Sequence, residues 1–149
     1  MDELEYIPGD LVMTKTDPND FIPNGIVCKF NEYVFKDKVY VSAVMLADNF
    51  ICKKEDIAPI PLTPEILEKN GWKREVMSRG IKNSYWVYTK PDIEEYGYFP
   101  IYIEKGIGDE FDVYPFTDNN VCKPIAYIKY VHQLQHLLLG LGLNSKMEV

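Results

Sequence analysis

The chain has 149 residues, 46% of them hydrophobic, and a formal net charge of -7. This suits one ordinary domain or two small modules, and the apolar content excludes a chain disordered throughout. Six lysines face 11 acids before Leu62, and 10 basic face 12 acidic residues from there on, a balance that argues against a general phosphate-backbone binder.

Pro8-Gly9-Asp10 reads as a turn that opens a strand at Leu11-Val12-Met13. A polar loop from Thr16 to Asp20 leads to a second strand over Gly25 to Phe30. Tyr33-Val34-Phe35 and Val39 to Met45 flank Lys36-Asp37-Lys38, which reads as a tight hairpin connection, and Phe50 to Lys53 closes the set. Short strands at this spacing predict an SH3-like small β-barrel over residues 1–60 rather than a parallel sheet. Such barrels often hold peptides or nucleic acid, but fold does not imply function. Tyr33, Phe35 and Tyr40 can line a groove or serve as ordinary hairpin aromatics.

The proline-rich stretch Pro59 to Pro64 marks the boundary to a second, α+β module over residues 61–149. Thr63 is placed to cap a helix over about 64–70, with Pro64 at its first position, Glu65 in the first turn and Gly71 as its stop. So short a helix must pack, and Trp72 is its natural anchor.

Half of the 20 aromatic residues fall between Tyr85 and Phe116. Ser84–Thr89, Tyr98–Glu104 and Glu110–Tyr114 read as antiparallel strands over about 84–114, the last two joined by Lys105-Gly106-Ile107-Gly108-Asp109. Tyr85, Trp86, Tyr88, Tyr102 and Tyr114 are candidate binding residues. They suit the wet face of a sheet, a protein contact, or a stacking platform for bases, although nearby acids oppose the last. A terminal helix is expected over about 126–139, because Ile128, Val131, Leu134 or Gln135, Leu138 and Leu141 follow helical spacing.

Both histidines, His132 and His136, sit in that segment at i and i+4, where they can face one ligand. Gln133 occupies the place where a zinc protease of the HExxH type carries its glutamate, so that mechanism does not apply. Cys122 and Asp118 could supply further ligands only if the preceding loop folds back. The plainer alternative is a histidine pair hydrogen-bonded at the edge of an apolar stripe. No catalytic residue, metal site or cofactor is assigned. Three widely spaced cysteines without a CxxC point to free thiols in a reducing compartment. The acidic start is unlike a signal peptide, and the apolar Leu137–Leu143 run is too short for a bilayer, which together predict a cytoplasmic location without membrane attachment.

Two segments, Pro61 to Trp72 and Ile128 to Leu138, resemble signatures of uncharacterised small proteins from Bacteroidetes genomes and their phages or prophages. Those proteins pair a proline-led LTxExLxxxGF helix with a terminal VHxLQxL helix; this chain has Trp72 in place of the phenylalanine. The resemblance implies mobile-element ancestry and no catalytic residue, cofactor or substrate. The expected function is a non-enzymatic, phage-like accessory protein that binds another protein or itself. The alternatives are a small metal-dependent or acid–base hydrolase built on His132 and His136, and a nucleic-acid-associated module.

Overall fold

Asp10 shapes the entry to the first sheet. Its Oδ2 accepts the Ile7 backbone N–H at 2.8 Å, and its own N–H donates to the Ile7 carbonyl at 3.1 Å. Gly9 within this turn has φ of 100°, a left-handed conformation that glycine adopts without a Cβ penalty. The structure, a computed structural model, describes residues 5–15, 24–35, 37–45, 48–79, 83–90, 101–106, 108–115 and 123–149. They divide between two compact units, one of Met1–Pro61 with Tyr130–Met147 and Val149, the other of Leu62–Lys129 with Glu148.

In the first unit, β1 (Leu11–Thr14), β2 (Val27–Phe35), β3 (Lys38–Ala43), β4 (Asn49–Lys53) and β5 (Ile57–Pro59) form one antiparallel sheet in the order β4-β3-β2-β1-β5. A 3-10 turn over Lys54–Asp56 carries the chain from one edge to the other. The sheet is open: β4 and β5 are its edges and do not pair with each other. This overturns the expected SH3-like barrel, since no sheet closes on itself among the described residues. The β2–β3 register shifts between Phe30 and Glu32 and again between Tyr33 and Phe35. Closure needs the outer strands to hydrogen-bond, and alternation within each strand does not encode that pairing.

Alternation does set the core. Val39, Val41 and Ala43 of β3 point inward with Val12, Cys28 and Phe30, and Tyr6, Cys52 and Ile57 complete the cluster. The same unit holds α2 (Val131–Gly140), which buries Val131, Leu134 and Leu138. The terminal helix was expected in the second module and from residue 126; it begins instead at Val131 and belongs to the first unit.

The second unit begins with α1 (Pro64–Lys69), which has the expected caps. Thr63 Oγ1 accepts the Ile66 N–H at 3.2 Å. At the other end Gly71, with φ of 88°, donates to the Glu68 carbonyl and Trp72 donates to the Leu67 carbonyl. This double bond pattern is the Schellman ending, and its two apolar partners, Leu67 and Trp72, are both buried. The strands β6 (Lys73–Arg79), β7 (Asn83–Thr89), β8 (Ile101–Lys105), β9 (Phe111–Pro115) and β10 (Ala126–Ile128) form an antiparallel meander in the order β10-β9-β8-β7-β6.

Two of these strands were not anticipated. The exposed run Lys73-Arg74-Glu75 at the head of β6 shows no apolar alternation, yet β6 pairs with β7 along its whole length. Ala126–Ile128 fits a helical stripe in spacing, but it pairs with β9, Ala126 opposite Val113 and Ile128 opposite Phe111. A Cβ at Gly106, just after β8, would lie 2.7 Å from Asp112 Oδ1 and 3.1 Å from the Glu110 carbonyl oxygen, so a side chain there requires the Asp112 carboxylate to move. Among the described residues no helix is long and apolar enough to cross a membrane.

The Thr63 cap is testable. Thr63→Ala removes one hydrogen bond from a helix of a single unit, and its expected cost is about 1 kcal/mol in urea unfolding, with an unchanged m-value.

Candidate functional site

The polar centre of the first unit is made by α2 and the turn before β1. Tyr130 precedes the helix, and its backbone N–H donates to Gln133 Oε1 at 3.1 Å, so Gln133 caps the first turn. Helical spacing then brings His132 and His136 side by side, with ring centroids 5.5 Å apart and edge to face. The two rings meet different surroundings.

His132 is 2% exposed. Its ring lies edge-on to Tyr6 at 5.1 Å and beside Tyr130 at 5.9 Å, and its Nδ1 is buried without a hydrogen-bond partner among the described residues. Burial lowers its pKa to about 4, a proton on His136 would push the same way, and Asp10 opposes the shift. His132 is therefore a neutral core residue at ordinary pH. Burial, with smaller contributions from Tyr33, Asp10 and Tyr130, pushes the Tyr6 hydroxyl up to about 12.

His136 is one-third exposed, and its Nε2 lies 2.7 Å from Oδ2 of the buried Asp10. Between the histidines, Gln135 turns into the protein. Its Oε1 accepts the Leu11 N–H at 2.9 Å, and its Nε2 donates to the Gly9 and Ser145 carbonyls, each at 3.2 Å. The Pro8–Asp10 turn, Lys29, His136 and Lys146 border a cleft of about 200 Å³, with Leu139 and Ile7 on its walls.

This arrangement can hold an imidazole in one orientation. With Nε2 committed to Asp10, Nδ1 is the nitrogen left for another partner. A carboxylate-oriented imidazole is the geometry of a general base. Ser145 lines the same cleft, but no hydrogen bond joins its hydroxyl to His136, so a nucleophile–base pair is not assembled. Among the described residues no group of three or more His, Cys, Asp or Glu side chains is placed to hold a metal ion; Asp118 and Cys122 lie outside them. Cys28 and Cys52 are buried free thiols, and burial, followed by Asp56 and Cys28, pushes Cys52 up to about 11. Both are poor nucleophiles as a result.

The aromatic candidates are divided between surfaces. Trp86 is half exposed, and the Arg74 guanidinium lies over its ring at 4.2 Å. Tyr88 shares that sheet face but is buried, which raises its pKa. Tyr102 and Tyr114 are directly opposed across β8 and β9 on the other face, buried, with rings stacked at 5.1 Å and 11°. The Tyr85 side chain lies outside those described. The described rings do not form one exposed platform.

Asp10, Gln135, Lys29 and Lys146 carry no site signal in the sequence. Asp10 carried only a turn signal, because 126 positions separate it from His136. Gln135 stood as an alternative to Leu134 within the stripe. A buried glutamine there is a visible clue, since it requires polar partners.

No protein-family model, no curated protein and no solved structure matches this chain. Those comparisons therefore offer nothing to link the two helix motifs to Bacteroidetes phage or prophage proteins.

Two measurements probe this centre. The lowered His132 pKa means that the unfolded chain takes up this proton first as pH falls. The associated stability is fully present above about pH 6.5, declines toward pH 4 and is lost below that, for a total of about 3 kcal/mol. The difference between urea-unfolding curves of the wild type and His132→Leu should show this slope; parallel pH dependences would contradict it. Gln135→Leu leaves the Leu11 N–H without its side-chain acceptor, and the expected loss is about 1–3 kcal/mol in the same assay.

Proposed function

We propose that this protein acts by binding rather than catalysis, taking an extended segment of another protein along the outer edge of β6. The observation that carries this reading is the pair Val76 and Trp86. They are register partners on adjacent strands, yet they are 56% and 51% exposed, with Arg74 stacked over the tryptophan. Among the described residues β6 is a sheet edge, with β7 on one side only. An uncovered edge supplies backbone donors and acceptors for an added strand, while side chains at alternate positions supply selectivity. Tryptophan and arginine are the residue types that most often dominate interface energy. Arg74 is exposed on the same strand face as this apolar pair, so the fitting segment carries an apolar residue flanked by an acid.

The alternatives draw less support. Base stacking needs accessible rings, whereas Tyr88, Tyr102 and Tyr114 are buried. A hydrolase using both histidines needs them at one open site, whereas His132 is in the core.

The test uses Trp86→Ala and Val76→Lys. Each should leave the thermal midpoint within about 2 °C of wild type, as exposed substitutions do. Each should weaken the partner complex by about tenfold or more, read by pull-down and then by titration with the purified partner. Light scattering reports whether the partner is a second copy. A strictly monomeric protein with no reproducible partner, or a partner that both variants hold as tightly as wild type does, would refute the proposal.

A further inference from the structure

The cleft beside His136 has a charge pattern that binding at β6 does not use. Its border holds Lys29, Lys146 and His136 against one carboxylate, Asp10. That carboxylate is already committed, because Oδ2 accepts the Ile7 N–H at 2.8 Å and lies 2.7 Å from His136 Nε2. Neither lysine is paired with a carboxylate among the described residues, and both are exposed. A chain with a net charge of -7 thus carries a small cleft whose uncompensated charge is positive.

We propose that this cleft binds a small ligand through an oxyanion, a phosphate or a carboxylate. Lys29 and Lys146, both on the border, supply the positive charge. The His136 ring, whose Nε2 lies 2.7 Å from Asp10 Oδ2, fixes that side of the border in one orientation. A cation is disfavoured here because Asp10, the one acid of the border among the described residues, is spent within the protein. The cleft volume of about 200 Å³ lies below the roughly 300 Å³ at which drug-sized ligands are usually held. That size fits a compact anion rather than a macromolecular segment. Leu139 and Ile7 add an apolar wall, which leaves room for a short hydrocarbon body next to the anionic group.

The chain has only two histidines, so the ring signals of His136 can be assigned by comparison with a His132→Leu sample. Inorganic phosphate and butyrate are titrated separately, at constant pH and at ionic strength fixed with chloride. The expected result is a saturable shift of the His136 ring resonances at millimolar concentration with at least one probe. Saturation by phosphate alone identifies a phosphate ligand, and saturation by butyrate alone identifies a carboxylate. The double variant Lys29→Gln/Lys146→Gln should keep the wild-type fold, read from its amide spectrum, and weaken that binding by about tenfold or more. A linear drift with both probes, or equal binding by the double variant, overturns the proposal. The two single lysine variants provide the same comparison should the double variant misfold.

Discussion

The polar link between α2 and the turn before β1 is the constraint on which the first unit depends. Gln135 accepts the Leu11 N–H on its oxygen and donates from its nitrogen to the Gly9 and Ser145 carbonyls, while His136 meets Asp10. The contacts to Gly9, Asp10 and Leu11 join residues more than a hundred positions apart, and the groups on the turn side are largely buried. Buried polar groups are expensive to leave unpaired, so the helix has one satisfactory seat. Apolar burial of Val131, Leu134 and Leu138 supplies a non-directional driving force, and the hydrogen bonds select the orientation.

That seat also separates two histidines that the chain places one turn apart. His132 falls on the side of Tyr6 and Tyr130 and stays neutral because burial disfavours its charge. His136 falls beside Asp10 at the cleft, with its Nε2 2.7 Å from the carboxylate. A spacing compatible with a shared ligand therefore becomes one packing residue and one polar residue. In the second unit the β-sheet makes a comparable division: Trp86 stays at the surface under Arg74, while Tyr102 and Tyr114 stack in the interior on the opposite face.

Local signals were legible where they act within a few residues. The Thr63 cap, Pro64, Gly71 and Trp72 define α1 because their hydrogen bonds are made inside a single helix and its ends. The alternation in Val39–Ala43 gives the inward face of β3. Legibility failed where distant strands had to be matched. Ala126–Ile128 carries a spacing that a helix would also satisfy, and only its ladder with β9 makes it a strand. Lys73–Arg79 has a charged start without apolar alternation, and β7 makes it a strand. The expected barrel failed for the same reason: strand lengths and turns do not state whether two edges meet.

By itself, then, the chain determined its α+β character, the capped helix after Thr63, the strand-rich stretches and the apolar stripe of its last helix. Periodicity and capping are local properties of covalent geometry, and sequence carries them directly. Tertiary structure alone decided that the first sheet stays open, that α2 joins the first unit, and that Asp10 takes His136 and not His132. Those outcomes depend on which buried groups find partners across long separations in the chain, a choice made only when the whole unit packs.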